Sequence, residues 1–164
     1  MVNEEPKLYD DLQLASGDTE HVGSSIDITD NSHFITSIFP QGDVSIYTAD
    51  MEILTADTPL ADDLQTLGEY NSQASLTAVD TGAQTISGTA AARRVTLPFG
   101  QHFAAGFDWT HLNGNGRLLV HRAIQWGMGA DFGTPPPKQL LFVAAGATPT
   151  AQEQQRIDLI ESWG

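Results

Sequence analysis

Three consecutive prolines at residues 135–137 divide this chain of 164 residues into two unequal parts. Proline has no amide hydrogen to donate to a β-ladder, and a run of prolines favours extended polyproline geometry over a tight turn. The sequence therefore predicts a linker at residues 134–138. It separates residues 1–133 from a single predicted β–α unit at residues 139–164.

The β–α unit is too small to bury its own apolar face. Its strand, residues 139–145, is almost wholly apolar, which is typical of a strand covered on both faces. A capping box that starts at Thr150 predicts the beginning of its helix. The unit either folds back on the preceding sheet, as in a circularly permuted domain, or begins a further module. Because the linker is stiff, we expect two copies to exchange the unit and form a homodimer with residues 139–163 at its interface.

The composition excludes several classes of site and partner. The chain has no cysteine, so it has no disulfide, no thiolate metal site and no cysteine nucleophile. No apolar run reaches about 18 residues, the length that a membrane-spanning helix needs. The 21 acidic and seven basic side chains give a formal net charge of -14, which repels phosphate backbones and anionic lipids. We therefore expect neither nucleic acid nor a membrane as a partner.

Most of the negative charge lies in the first part of the chain. Residues 1–70 hold fifteen acidic side chains and one base, Lys7, whereas residues 71–164 hold six of each kind. A solvated acidic face is typical of proteins adapted to salty or extracellular water. We therefore expect an extracellular or cell-surface location, although the N-terminal residues have neither the basic nor the apolar region of a signal peptide.

A calcium site is the alternative interpretation of these carboxylates, because Ca²⁺ takes six to eight oxygen ligands from closely spaced Asp, Asn and carbonyl groups. The nearest match to such a spacing is Asp27, Asp30 and Asn31. This segment lacks the glycine turn and the distal glutamate of an EF-hand loop. A solvated acidic face is therefore the simpler explanation.

Short runs rich in β-branched residues predict strands at residues 25–28, 44–48, 51–54, 74–79, 84–87 and 94–99. The runs 74–79 and 84–87 are expected to form a hairpin around residues 80–82. A helix is predicted from Arg117 to Trp126, with Asn115 as its N-cap, because its apolar residues recur with the helical period.

Several segments resemble parts of class I glutamine amidotransferase-like domains, including the ThuA-like branch. Residues 28–36 followed by Gly42 are similar to the D-x-x-H-P-I-T…G segment of that family. Residues 94–102 resemble a late strand that ends in a glycine and a histidine, and residues 115–126 resemble the closing helix. Residues 140–164 resemble the opening strand and helix of the same kind of domain.

This resemblance implies an α/β fold, a mainly parallel, flavodoxin-like sheet flanked by helices, with added β-hairpins between residues 44 and 99. The closing elements of the family precede the opening ones along this chain. The order implies a slice across a junction between two such modules. Residues 1–133 would then be the C-terminal part of one amidotransferase-like domain, and residues 139–164 would begin the next or supply an exchanged element of the same sheet.

Catalysis in this family uses a cysteine nucleophile and a histidine that is often followed two residues later by glutamate. His102 is the one residue that matches a catalytic position of the family, and residue 104 is alanine. The chain has no cysteine, and no G-x-S-x-G elbow offers a serine in its place. An imidazole without a nucleophile has nothing to activate, so the sequence predicts no acyl-transfer activity.

A candidate pocket is predicted from three histidines and one aspartate. His102, Asp108 and His111 lie within ten residues, and the resemblance places His33 near them. His102 and His111 are the candidate zinc ligands, with Asp108 as a third donor and an open position for water. Their spacing matches no helical ligand pair, and loop histidines more often bond to the backbone or to water.

The sequence thus predicts a non-catalytic structural or binding module of a larger secreted bacterial protein, with no cofactor. Phe107 and Trp109, beside the loop that holds the candidate pocket, either line a surface for a carbohydrate or another small molecule or belong to the core, as aromatic residues at the end of a sheet usually do. The alternative is a degenerate or metal-dependent hydrolase, related to amidotransferase-like and ThuA-like proteins, with a site near His102.

Overall fold

The computed structural model describes residues 9, 12–100, 106–133 and 154. Its strands are β1 (Asp18–Gly23), β2 (Ser25–Ile28), β3 (Gly42–Ser45), β4 (Met51–Ala56), β5 (Gln65–Tyr70), β6 (Gln73–Val79), β7 (Gln84–Thr85), β8 (Gly88–Thr89) and β9 (Arg94–Thr96). A 3-10 turn spans Trp109–His111, and helix α1 spans Gly114–Gly127.

Five strands form an antiparallel sheet in the order β3-β2-β5-β6-β9. At its centre is the β5–β6 hairpin, whose loop residues Asn71 and Ser72 have φ angles of 50° and 63°. Two positive φ angles in a two-residue loop are typical of a type I′ turn, whose twist matches that of the flanking strands. Asp27 of β2 lies opposite both Asp43 of β3 and Glu69 of β5. Three acidic residues therefore form a row across three neighbouring strands.

A two-stranded ribbon of β1 and β4 packs against the middle of this sheet. β4 is buried at all six of its positions, and Ser75 of β6 donates its hydroxyl hydrogen to the carbonyl oxygen of Leu54 at 2.7 Å. β6 is buried at residues 74–79. Since successive side chains of a strand point to opposite faces, β6 is covered on both of its faces.

Helix α1 crosses the sheet, because it contacts both edge strands, β3 and β9. Its N-cap is Asn113, whose side-chain oxygen accepts the amide hydrogen of Gly116 at 3.0 Å, so the predicted cap Asn115 is two residues too late. Gly116 packs on the carbonyl oxygen of Ile46, where a side chain has no room. The buried side chains of the helix are those of Leu119, Val120, Ala123 and Trp126.

The predicted mainly parallel, flavodoxin-like α/β fold is wrong. Every strand pair in the described residues is antiparallel, and most of their regular structure is strand. Parallel neighbours need a crossover of a dozen or more residues, usually a helix. Here no α-helix lies between the strands of residues 12–100, and β5 joins β6 through a two-residue loop.

The predicted hairpin of residues 74–79 with residues 84–87 is also wrong. β6 pairs with β5 and β9, whereas β7 pairs with β8 in a separate small ribbon. Asp80, in the expected hairpin turn, instead forms an ion pair with Arg93 at 3.0 Å. That contact ties the end of β6 to the residue that precedes β9, its true partner.

The predicted linker at residues 134–138 lies outside the described residues, as does the β–α unit at residues 139–164 except for Gln154. In the described part of the chain, no helix is long and apolar enough to cross a membrane.

Candidate functional site

The three residues of the candidate calcium segment make separate local contacts. Asp30 accepts hydrogen bonds from the amide and hydroxyl groups of Ser32 at 2.8 and 2.7 Å, and these bonds hold the pKa of Asp30 below its usual value. Asn31 donates to the carbonyl oxygen of Phe39 at 3.4 Å, and Asp27 lies within β2. Among the described residues, no group of three or more His, Asp or Glu side chains is placed to hold a metal ion.

His33 lies in a turn that packs against the C-terminal end of α1. Its Nδ1 accepts the amide hydrogen of Ile35 at 3.2 Å, and its ring meets that of Trp126 edge-on, with 5.0 Å between centroids. Burial lowers the pKa of His33, while the carboxylates of Asp30, Asp80 and Asp131 act in the opposite direction. The neutral imidazole is therefore favoured, with Nδ1 as an acceptor.

Asp108 and His111 lie at the 3-10 turn that precedes α1. Asp108 accepts hydrogen bonds from the amide and hydroxyl groups of Thr110 at 2.8 and 2.9 Å, which lower its pKa. His111 Nδ1 lies 3.7 Å from the Asp108 carboxylate. This nitrogen is shielded from solvent and has no hydrogen-bond partner among the described residues.

The structure does not bring the four residues of the candidate pocket together. His33 packs at the end of α1, whereas His111 lies before its beginning. A helix of 14 residues, at about 1.5 Å per residue, separates the two histidines by roughly 20 Å. His102 lies outside the described residues. Of the three residues that the structure describes, only Asp108 and His111 are neighbours, and Asp108 caps its own turn.

Four aromatic rings run from the core to the surface at the same turn. Tyr47 contacts Phe99 with 5.6 Å between ring centroids, and Phe99 stacks on Phe107 at 5.0 Å with 19° between planes. Phe107 meets Trp109 edge-on at 5.1 Å. Phe99 is fully buried, whereas Trp109 is 41% exposed. This aromatic series therefore presents an indole to solvent and supports it from below.

The series is anchored by backbone and side-chain contacts. The amide of Phe107 donates to the carbonyl oxygen of Gly100 at 2.7 Å. Burial, together with the neighbouring carboxylate of Glu52, raises the pKa of Tyr47, so its phenol stays protonated. Glu52 is fully buried in β4, and its side chain occupies the space above Gly100 that any other residue would need.

Arg93 is structural, and the sequence analysis assigned no function to it. Its guanidinium binds the carboxylates of Asp80 and Asp131, each at 3.0 Å, and the carbonyl oxygens of Trp126 and Ala130 at 3.0 and 2.9 Å. It thus closes the C-terminal end of α1 against the sheet. A partly buried positive charge at this end of a helix also complements the helix dipole.

Two open clefts lie elsewhere on the described surface. One, of about 470 Å³, lies between β3 and α1 and is lined in part by Ile38, Leu118 and Arg122. The other, of about 550 Å³, lies beside β4 and the β5–β6 hairpin and includes Asp57 and Glu69. Neither cleft is lined by His33, Asp108 or His111, the three described residues of the predicted pocket.

No protein-family model, curated protein or solved structure matches this chain. The resemblance to amidotransferase-like domains therefore depends on the quoted segments alone.

Proposed function

We propose that this chain is a non-catalytic binding module of a larger secreted bacterial protein, and that it binds a carbohydrate on the exposed face of Trp109. The observation that carries the proposal is the aromatic series that ends at this indole. The rings of Phe99 and Phe107 fix the position of Trp109, so stacking a sugar on it costs little side-chain entropy. The secreted location is supported by the acidic composition and by the resemblance.

The polar groups beside Trp109 fit a ligand rich in hydroxyl groups. Asp108 is ionised and accepts hydrogen bonds, and the side chain of His111 is 42% exposed. Sugar rings have an apolar C–H face that packs on an aromatic ring and hydroxyl groups at the rim that bond to such side chains. Because the whole chain carries a charge of -14, a neutral or amino sugar is favoured over an acidic one.

The absence of a convergent catalytic group among the described residues supports binding over hydrolysis. His33 and His111 lie at opposite ends of α1. The whole chain has no cysteine, so the acyl-transfer chemistry of the family it resembles lacks its nucleophile.

Calorimetric titration with cellohexaose, chitohexaose and maltohexaose tests the proposal. We expect the wild-type chain to bind at least one of them without releasing shorter sugars, and Trp109→Ala to weaken that binding at least about tenfold, or 1.4 kcal/mol. Ile86→Ala is the matched control, because Ile86 is 45% exposed, close to the 41% of Trp109, and lies outside the aromatic series. Binding that is unchanged in Trp109→Ala, failure of all three sugars to bind, or release of shorter sugars would contradict the proposal.

A further inference from the structure

A second surface, at the cleft between β3 and α1, combines exposed apolar side chains with one arginine. We call it the apolar stripe; it consists of Phe34, Ile38, Leu118, Arg122 and Phe132. Ile38 is 46% exposed, Leu118 40% and Phe132 62%. Ile38, Leu118 and Arg122 line the same cleft. Phe132 meets Phe34 edge-on at 6.0 Å, and the Arg122 guanidinium lies 4.2 Å from the ring centroid of Phe34.

The arginine of the stripe is fixed before any partner binds. Arg122 donates to the carbonyl oxygens of Phe34 and Ile35 and, at 2.9 Å, to the hydroxyl of Ser37. An ordered arginine among aromatic and aliphatic side chains is typical of the centre of a protein–protein interface. The stripe also adjoins a sheet edge, since among the described strands β3 pairs only with β2.

The described segment that contains α1 ends at Gly133, directly after Phe132 of the apolar stripe. Phe132 is part of the stripe, Gly133 follows with a φ of 78°, and the predicted linker at residues 134–138 comes next. Polyproline geometry rises about 3.1 Å per residue, so five residues span roughly 15 Å. A stiff linker of this length would carry residues 139–145 away from the stripe of their own chain and within reach of the stripe of a neighbouring copy.

From this placement we infer that residues 139–145 of a second copy of this chain cover the apolar stripe, so that two copies exchange these segments. The exit point and the acceptor surface lie side by side, so one two-fold axis satisfies both copies and the assembly closes as a dimer. The run has no acidic residue and follows Lys138. It therefore adds no negative charge next to Asp43, which lines the cleft. The inference is independent of the Trp109 surface.

Complementation between two variants of the full chain tests the exchange. Leu118→Asp damages the stripe and leaves the segment intact, whereas Phe142→Asp damages the segment and leaves the stripe intact. By light scattering over a hundredfold dilution we expect the wild-type chain to be a dimer and each variant alone to dissociate at least tenfold more readily. An equimolar mixture of the two variants should recover dimers, because one intact segment then meets one intact stripe.

Val22→Asp is the matched control, since Val22 is 53% exposed on β1 and outside the stripe; it should dimerise as the wild-type chain does. Thermal melts establish that each variant is folded, and a variant that does not fold is replaced by Leu118→Ser or Phe142→Ser. A wild-type monomer throughout the dilution, a dimer that tolerates both aspartates, or a variant mixture that stays monomeric would overturn the exchange.

Discussion

At the scale of single residues, side chains that the sequence offered for a calcium site or a pocket make contacts within the fold. Asp30 and Asp108 each cap a turn, and His33 accepts a backbone hydrogen bond. Arg93, which no sequence pattern singled out, fixes the end of α1. The sequence could suggest which residues are polar and isolated in loops. The bonds of Asp30, Asp108 and His33 join residues two apart, a spacing that local turn patterns contain. The bonds of Arg93 join it to residues 33 and 37 positions away, which no local pattern contains.

Removing the Arg93 guanidinium should destabilise the fold. Its side chain is only 19% exposed, and Arg93→Ala would leave the carbonyl oxygens of Trp126 and Ala130 without their charged donor. We expect a loss of about 2 to 3 kcal/mol in the free energy of unfolding, measured by urea denaturation. Arg117→Ala is the control, because Arg117 is exposed on α1. Equal losses in the two variants would show that the contacts of Arg93 contribute nothing.

Protonation of His33 should weaken the fold in mildly acidic solution. Its pKa is lowered from 6.5 by burial, so the unfolded chain takes up the proton more readily than the folded chain. Stability is therefore full above about pH 6.5 and falls as the pH decreases toward the folded-state pKa. We expect the free energy of unfolding to fall less between pH 7.5 and 5.5 in His33→Gln than in the wild-type chain. The same fall in both would contradict this assignment.

The lowered pKa of His121 acts in the same direction. The pH dependence of the free energy of unfolding in the wild-type chain therefore contains both contributions. His121→Gln is therefore the comparison that separates them. The carboxylates with lowered pKa values, Asp30 and Asp108, titrate well below this range. They do not disturb the measurement.

At the scale of elements, the sequence predicted the strands that are rich in β-branched residues and missed the polar ones. The runs at 25–28, 51–54, 74–79 and 94–99 correspond to β2, β4, β6 and β9. β1 and β5 were missed because their residues are mostly polar and partly exposed. These strands depend on pairing with β4 and β6, which is a tertiary contact that local pattern does not contain.

The sequence predicted neither the antiparallel direction of the strands nor the packing that exposes Trp109, and the reasons are related. The resemblance rested on short segments, and a segment such as residues 94–99 fits a strand in either direction. Trp109 was noticed for its residue type, but its exposure depends on Phe99 and Tyr47, which lie 10 and 62 residues away in the chain. Long-range packing of this kind has no signal in local spacing.

Because α1 packs closely on Ile46, a side chain at Gly116 should destabilise the fold. A side chain at Gly116 would meet the carbonyl oxygen of Ile46 and the side chain of Leu112. We expect Gly116→Ala to lower the free energy of unfolding by about 1 to 3 kcal/mol. Gly114→Ala is the control, because nothing lies within 4 Å of the added carbon, and alanine favours helix. A harmless Gly116→Ala would mean that α1 is not packed as described.

At the scale of the whole molecule, negative charge is in excess. Acidic side chains are direct neighbours on the sheet, and the chain as a whole has a large negative net charge. The row Asp43, Asp27 and Glu69 crosses three strands, and directly opposed like charges destabilise a sheet. The net charge of -14 adds a general self-repulsion. Assembly and salt response should therefore depend on charge as much as on packing.

Salt should stabilise this molecule. Charges are screened beyond about 10 Å at 0.1 M ionic strength, so we expect the melting temperature to rise from low salt to molar NaCl. Asp27→Asn removes the central charge of the row. It should raise the melting temperature at low salt and reduce the increase of the melting temperature with NaCl concentration. Asp62→Asn, on an exposed loop, is the control. A flat or falling wild-type curve would show that the repulsion is already neutralised.

Carbohydrate binding at Trp109 can be observed directly by ¹⁹F NMR. The full chain is labelled with 5-fluorotryptophan and titrated with the hexasaccharide that binds best. The chain has three tryptophans, Trp109, Trp126 and Trp163, and Trp109→Phe identifies the resonance of Trp109. We predict that this resonance shifts in a saturable way while that of the buried Trp126 stays in place. Saturable binding with an unshifted Trp109 resonance would contradict a ligand surface at the aromatic series.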